Sequence, residues 1–125
     1  MGRIRTLLVD DEKAFVDILA ERLEVRGFET HVVYSGAEAV NFLSNNTVDI
    51  VVLDVKMPGM EGIEVLKWIR GCCQELPVIM LTGYSSERDE KEARRIGIFD
   101  FLKKPPEIDV LTNTLKKAFI MKTQC

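Results

Sequence analysis

Short apolar stretches alternate along the chain with longer stretches in which apolar residues recur at every third or fourth position. The short stretches predict strands over residues 4–9, 28–33, 49–54, 78–81 and 98–102. Unbroken runs such as residues 78–81 are typical of strands buried on both faces, and the wider spacing is typical of helices. Five repeats of strand and helix predict a parallel sheet with right-handed crossovers and helices on both faces.

Local signals place the ends of the predicted helices. The first helix runs from Glu12 to Gly27, which can end it in a left-handed turn. Ser35 and Glu38 match a capping box, in which each side chain bonds to the other's backbone N–H. The later helices are expected near residues 36–45, 61–70, 86–96 and 107–121, with Trp68 on a flank. The inward apolar positions are expected to be Phe15, Ile18, Leu19, Ala20, Leu23, Ala39, Val40, Phe42, Leu43, Ile63, Leu66, Ile69, Ile108, Leu111, Leu115, Ala118 and Phe119.

The fourth predicted helix has almost no apolar face. Between Glu87 and Arg95 only Ala93 is apolar, and Ser85 or Ser86 is placed to cap the start of the helix. Because little burial holds this helix, we expect it to be the most mobile or the partner-facing element.

Length and composition fit a single globular domain over residues 1–125. Hydrophobic residues make up 46% of the chain and charged residues 30%, which is not the composition of a disordered protein. No apolar run approaches the roughly 20 residues of a membrane span, and no signal peptide precedes the first strand, so we expect a cytoplasmic protein. The net charge of −3 argues against direct nucleic-acid binding.

The cysteines and the single histidine indicate no catalytic or metal site. Cys72, Cys73 and Cys125 are odd in number and lack metal-ligand spacing, so we expect reduced thiols. His31 lies in a predicted strand without Cys or His partners, which favours a structural role.

Polar side chains collect where four of the predicted strands end. Asp10 and Asp11 follow the first strand, Asp54 ends the third, Thr82 follows the fourth and Lys104 follows the fifth. The C-terminal ends of parallel strands share one edge, which is where open α/β sheets bind ligands. We therefore expect three carboxylates, a hydroxyl and an ammonium to lie together.

This set of side chains indicates metal-assisted phosphoryl transfer. Converging carboxylates repel one another unless a cation neutralises them. Oxygen ligands without Cys or His favour Mg²⁺, and a lysine and a threonine hydroxyl can bind phosphoryl oxygens. Asp54, at the end of a buried strand, is then the candidate nucleophile.

Four motifs occur in order along the chain. They are Leu8-Val9-Asp10-Asp11, Leu53-Asp54-Val55-Lys56-Met57-Pro58-Gly59-Met60-Glu61-Gly62, Leu81-Thr82-Gly83 and Asp100-Phe101-Leu102-Lys103-Lys104-Pro105. Together they resemble the receiver domains of two-component response regulators, over essentially the whole chain. The resemblance implies a flavodoxin-like, doubly wound (βα)5 fold with strand order 2-1-3-4-5.

The same resemblance implies roles for the matching residues. It implies Asp54 as phosphoacceptor, Asp10, Asp11 and Asp54 with the Lys56 backbone carbonyl as Mg²⁺ ligands, Thr82 as switch hydroxyl, Phe101 as the aromatic that reorients, and Lys104 as the lysine that contacts the phosphoryl group. Lys104 is selected over Lys103 because the family's lysine directly precedes a proline, and the Lys104–Pro105 bond is expected to be cis. Lys56 and Tyr84 match positions that tune the lifetime of the phosphorylated state.

A receiver domain is expected to act as a phosphorylation-dependent switch, catalysing only its own phosphoryl transfer and dephosphorylation. The resemblance implies a histidine kinase or phosphotransfer protein as the donor. It also implies an output surface on the fourth helix, fifth strand and fifth helix, through which a dimer can form. The effector domain or downstream protein is left open.

Two other classes of protein are alternative interpretations. A Mg²⁺-dependent aspartate-nucleophile phosphatase of the haloacid dehalogenase type carries Asp-x-Asp on its first strand. Here the candidate nucleophile lies on the third strand, and Lys56 stands in place of the second acid. A nucleotide- or flavin-binding module is disfavoured because the sequence has neither Gly-x-Gly-x-x-Gly nor a P-loop motif.

Overall fold

The computed structural model describes residues 2–83 and 87–123, which form alternating strands and helices. The elements are β1 (Arg5–Val9), α1 (Lys13–Val25), β2 (Glu29–Val33), α2 (Gly36–Asn45), β3 (Ile50–Asp54), α3 (Gly62–Cys72), β4 (Val78–Thr82), α4 (Glu87–Ile96), β5 (Asp100–Lys103) and α5 (Ile108–Thr123). In this part of the chain, no helix combines the length and the apolar character that crossing a membrane requires.

The sheet confirms the predicted topology. Its five strands are parallel and lie in the order β2-β1-β3-β4-β5. Val9 pairs with Leu53, and Asp54 pairs with Leu81, so β1, β3 and β4 end at nearly the same level. The sheet therefore has one edge at which the residues that follow these strands meet.

Each strand divides its side chains between two hydrophobic layers. On β3, Val51 and Leu53 belong to the layer that α2, α3 and α4 cover, whereas Ile50 and Val52 belong to the layer under α1 and α5. Successive side chains of a strand point to opposite faces, so both faces of a covered sheet need apolar residues. This is why β3 has no alternation of polar and apolar positions.

The helices bury mostly the predicted positions, with one clear exception in α1. Ile18 was predicted to face inward, but it is 54% exposed, and Val16 is buried instead. Val16 shares one helix face with Leu19 and Leu23 at spacings of three and seven residues, and Ile18 falls nearly opposite that face. Of the other predicted inward positions, those only partly buried are Phe15, Val40, Phe42, Leu43, Ile63, Ile108 and Phe119.

The start of α2 uses half of the predicted capping box. The backbone N–H of Glu38 donates to Ser35 Oγ at 3.1 Å, as expected. The Glu38 carboxylate, however, accepts from the backbone N–H of Tyr34 at 3.0 Å, one residue before the N-cap. A complete capping box occurs instead at α3, between Glu61 and Glu64.

The burial predicted for α4 is confirmed, since Ala93 is its only buried residue. The predicted caps Ser85 and Ser86 lie outside the described residues. Gly97 ends the helix with a φ of 121°, and β5 begins at Asp100, two residues later than predicted.

Candidate functional site

Three of the predicted polar residues meet at the C-terminal edge of the sheet. Lys104 Nζ lies 2.8 Å from Asp10 Oδ2 and 3.5 Å from Asp54 Oδ2. It also lies 2.5 Å from Glu12 Oε1, at the N-cap of α1. The lysine side chain is only 7% exposed. One ammonium group therefore neutralises carboxylates at the ends of two different strands.

The side chains of the two aspartates are buried. Asp10 is 3% exposed and Asp54 is 4% exposed. Burial, together with the charge of Asp10, raises the pKa of Asp54 to about 7, although Lys104 opposes the shift. Burial also raises the pKa of Asp10, against the bonds that Asp10 accepts from Lys104 and the Glu12 backbone N–H. Asp54 is thus close to half protonated at neutral pH until a further cation stabilises its carboxylate.

Lys104 keeps its charge in this environment. Burial disfavours the ammonium, but its bonds to Asp10 and Glu12 outweigh that effect and raise the pKa of Lys104. The ammonium also lies 4.9 Å from the centre of the Phe15 ring, close enough for a cation–π contact. Lys104 is therefore a fixed positive charge beside Asp54.

The carboxylates at this edge form a group that can hold a metal ion. Oxygens of Asp10, Glu12 and Asp54 all lie within 4.8 Å of one another. A donor set of carboxylate oxygens without nitrogen or sulfur fits Mg²⁺. The metal-ligand roles predicted for Asp11 and for the Lys56 carbonyl remain predictions, but the charge of Asp11 contributes to raising the pKa of Asp54.

Glu12 is a site residue that the sequence reasoning missed. The sequence places Glu12 only at the start of a helix. Its carboxylate reaches the site because Asp10 Oδ1 accepts from the Glu12 backbone N–H at 2.9 Å. That bond turns the chain after β1 back over the strand ends. The available signal was a third acid directly after the Asp10-Asp11 pair, at the first turn of a helix.

Backbone pairing brings Thr82 next to Lys104. Thr82 is buried at the end of β4, and its carbonyl accepts from the Lys104 backbone N–H at 2.8 Å. The Lys104–Pro105 peptide is cis, as expected. Phe101, on the neighbouring strand, is half-buried against the layer of α2, α3 and α4. Thr82 and Lys104 thus lie at adjoining strand ends, whereas Phe101 lies within β5, paired with Met80.

Of the two positions predicted to tune the phosphoryl lifetime, only Lys56 is described. Its ammonium lies 3.8 Å from Glu61 Oε1 and 3.7 Å from Asp89 Oδ2. Lys56 therefore bridges the loop after β3 and the first turn of α4. Tyr84 lies outside the described residues.

Gly62 fixes how closely the loop after β3 returns to Asp54. Its backbone N–H donates to the Val55 carbonyl at 3.0 Å. A Cβ atom at this position would lie 2.1 Å from the Asp54 carbonyl oxygen, far inside van der Waals contact. Only glycine permits this approach. The requirement was not predicted, because the sequence places Gly62 at the start of the third helix but does not show which backbone packs against it.

The raised pKa of Asp54 predicts that, in the presence of a chelator, the protein loses stability as the pH rises from about 4 to 7. In that range the folded state keeps a proton that the unfolded state releases, so a rise in pH favours unfolding. A shift from 3.8 to about 7 corresponds to about 4 kcal/mol at most. Urea unfolding between pH 4 and 8 would measure it. Asp54→Asn should flatten this dependence. If the free energy of unfolding of the two proteins changed with pH in parallel, Asp54 would not be the group with the raised pKa.

Known proteins show the same fold and related sequences. A profile of the response regulator receiver domain matches residues 6–116. The regulatory protein AtoC of Escherichia coli (strain K12) is 36% identical over 114 residues, which are 91% of this chain and 25% of AtoC. The transcriptional regulatory protein ZraR of Salmonella typhimurium is 36% identical over 117 residues, 94% of this chain and 26% of ZraR. This chain thus spans about a quarter of the length of these curated relatives.

A solved structure agrees with both the topology and the sequence pattern. The CheY-like response regulator receiver domain protein of Methanospirillum hungatei JF-1 superposes with a TM-score of 0.95 at 26% identity, covering 98% of each chain. The match extends over every strand and helix that positions Asp10, Asp54, Thr82 and Lys104. By sequence and by structure, this chain belongs to the response regulator receiver domain family.

Proposed function

We propose that residues 1–125 form one receiver domain that accepts a phosphoryl group on Asp54, with Mg²⁺, and acts as a switch in a two-component phosphorelay. The observation that carries this proposal is the contact of Lys104 with both Asp10 and Asp54 at the strand ends, at 2.8 Å and 3.5 Å. A nucleophilic carboxylate, a second acid and a fixed ammonium are the groups that phosphoryl transfer to an aspartate requires.

In the proposed transfer, a carboxylate oxygen of Asp54 bonds to phosphorus as the bond between phosphorus and the donor breaks. The donor is the phosphohistidine of a kinase or phosphotransfer protein. The ammonium of Lys104 balances charge on the phosphoryl oxygens, and the hydroxyl of Thr82 donates to one of them. Asp54 reacts as the carboxylate, so a cation that favours its deprotonated form also favours the reaction.

Asp10, Asp11 and Asp54, with the Lys56 backbone carbonyl, are the proposed Mg²⁺ ligands. A bound Mg²⁺ supplies positive charge that offsets the repulsion between the carboxylates and the incoming phosphoryl group. The oxygen-only group of Asp10, Glu12 and Asp54 supports this assignment of the metal. It also makes Glu12 a competing ligand to Asp11.

Asp11→Ala is expected to remove the Mg²⁺ dependence together with most of the phosphorylation, since a coordinating acid is lost. Folding should survive or improve, because one charge that repels Asp54 disappears. The measurement is the rate of mass gain with acetyl phosphate across a Mg²⁺ titration, with Glu12→Ala as the matched variant. If Asp11→Ala were phosphorylated with the Mg²⁺ dependence of wild type, and Glu12→Ala were not phosphorylated, Glu12 and not Asp11 would be the metal ligand.

The proposed output surface is α4, β5 and α5. Phosphorylation replaces one carboxylate charge by nearly two charges, which draw in Lys104 and the Thr82 hydroxyl. Movement of Thr82 changes the space beside Phe101, which belongs to the hydrophobic layer under α4. To move a population from 1:99 to 99:1, these contacts must favour the active state by about 5.5 kcal/mol. We propose that α4 rearranges first, since it buries only Ala93.

Thr82→Ala is therefore expected to allow phosphorylation but to uncouple it from the output surface. Amide hydrogen exchange with and without the phosphoryl mimic beryllofluoride would measure the coupling in both proteins. Wild type should change in α4, β5 and α5, and the variant should change much less. Changes confined to α1, or full changes in Thr82→Ala, would contradict this route.

The proposed partners are a histidine kinase or phosphotransfer protein and an effector. The curated relatives are named as regulatory and transcriptional regulatory proteins and are about four times as long as this chain. We propose that α4, β5 and α5 contact an effector domain or a second receiver domain. Lys56, which pairs with Asp89 in α4, and Tyr84 are the proposed residues that tune the phosphoryl lifetime.

The test is incubation of the chain with acetyl phosphate and Mg²⁺, followed by intact-mass measurement. One phosphoryl group per chain is expected, with none when a chelator replaces Mg²⁺. No gain in mass at any acetyl phosphate concentration, or an equal gain in mass without Mg²⁺, would refute the proposal.

A further inference from the structure

Two adjacent thiols lie at the C-terminal end of α3. They are near the N-terminal ends of the strands, at the edge of the sheet opposite to the one that carries Asp54. Cys72 is the last residue of the helix and Cys73 is its C-cap. Their sulfur atoms are 3.3 Å apart, and both residues carry free thiols. Both line an open cavity of about 700 Å³ whose wall includes Arg5 and Asp49. Arg5 is the first residue of β1, and Asp49 directly precedes β3. The thiols are therefore close together and open to a ligand.

The backbone that carries the two thiols is held in place. The Cys73 N–H donates to the Ile69 carbonyl at 2.6 Å, which closes the last turn of α3. The Arg70 guanidinium donates to the carbonyls of Cys73 and Gln74, both at 3.2 Å. A pair that is already ordered loses little conformational freedom when it binds a ligand.

The pair is poorly suited to form a disulfide. Cα atoms joined by a trans peptide are about 3.8 Å apart, whereas disulfides need about 4.4 Å or more. A bridge between Cys72 and Cys73 would therefore be strained and easily reduced. An atom that bonds to both sulfurs keeps them farther apart than a direct sulfur–sulfur bond would, and so avoids that strain.

The geometry also disfavours zinc. With zinc–sulfur bonds of about 2.3 Å, a tetrahedral ion holds its sulfurs about 3.8 Å apart, and the observed 3.3 Å corresponds to an angle of roughly 90°. Across residues 2–83 and 87–123, no third His, Cys, Asp or Glu atom completes a metal group with these sulfurs. The pair thus suits an atom that bonds to two protein sulfurs with a sulfur–atom–sulfur angle of about 90°.

We infer that Cys72 and Cys73 form a dithiol site for a trivalent arsenic centre that carries one other substituent. In the binding step each thiol replaces one hydroxyl of the hydrated arsenical. Two arsenic–oxygen bonds break, two arsenic–sulfur bonds form, and each thiol proton leaves with a hydroxide as water. No electron is transferred, so no oxidant or reductant is required. The cavity beside the thiols provides room for the remaining substituent.

The test uses the full chain with Cys125→Ser, so that Cys72 and Cys73 are the only thiols. Incubated with phenylarsine oxide, this protein should gain one phenylarsenic group and lose both titratable thiols. A small dithiol should reverse the reaction, whereas a monothiol at equal concentration should not. Because the site is remote from Asp54, phosphorylation by acetyl phosphate should be unchanged. If the arsenical did not bind, the proposal that Asp54 accepts the phosphoryl group would still stand.

Cys72→Ser and Cys73→Ser, each added to the Cys125→Ser chain, are the matched controls. Both should bind at least about 100-fold more weakly, because the second bond is no longer intramolecular. Equal affinity in either control, uptake of two arsenicals by the parent, or zinc binding as tight as that of the arsenical would overturn the inference. Should a control fail to fold, the parent's stoichiometry and its response to the dithiol still decide the outcome.

Discussion

Asp54→Asn is expected to abolish the mass gain from acetyl phosphate completely. The asparagine side chain keeps the size of aspartate but lacks the carboxylate that attacks phosphorus. Among the acids at the sheet edge, Asp54 is the one that ends the central strand and lies beside the ammonium of Lys104. The measurement is intact mass after incubation with acetyl phosphate and Mg²⁺.

Loss of phosphorylation in this variant can be separated from loss of structure. Asp54 is buried and repelled by Asp10 and Asp11, so its neutral replacement should leave the protein at least as stable above pH 7. Asp109→Asn, at an exposed position in the first turn of α5, is the matched control and should be phosphorylated like wild type. A full mass gain in Asp54→Asn would remove Asp54 as the sole acceptor.

Gly62→Ala is expected to lower the free energy of unfolding by about 3 kcal/mol or more, since overpacking against fixed backbone is among the larger effects of single substitutions. The added methyl group would lie 2.1 Å from the Asp54 carbonyl oxygen and 2.9 Å from the Val55 Cα. Neither is a flexible side-chain end, so β3 or the start of α3 has to move. Such movement displaces Asp54 from Lys104, and the rate of phosphorylation should fall as well.

Gly71→Ala is the matched control for Gly62→Ala, because both glycines belong to α3. A Cβ atom at Gly71 would meet nothing within 4 Å. Alanine is the better helix former, so this change should stabilise the protein by about 0.5–1 kcal/mol. Chemical denaturation of the three proteins measures both effects. Equal stability of the two variants would show that the close approach at Gly62 relaxes without cost.

The fold was predictable because its determinants are local. Burial on both faces makes β3 and β4 continuous apolar runs, which a sequence displays directly. Alternation of strand and helix then admits few topologies, since crossovers between parallel strands are right-handed. Errors occurred where two helix faces compete for burial, as at Ile18 and Val16.

Much of the site was predictable for a related reason. Asp10, Asp54, Thr82 and Lys104 each follow or end a predicted strand, and parallel strands bring those ends to one edge. The position of a residue at a strand end is a property of the sequence. Its neighbours across the sheet then follow from the strand order.

Contacts that depend on loop paths and side-chain directions emerged only from the folded structure. Glu12 reaches Lys104 because the turn after β1 folds back, and Gly62 is required because a loop passes against the Asp54 carbonyl. The raised pKa of Asp54 likewise depends on burial and on the distance to Asp10, which no spacing along the chain encodes. The sequence thus determined which elements form and which residues end them. The packing of those elements set the distances and the burial. Steric energies change steeply over a few tenths of an ångström, and electrostatic energies depend strongly on burial.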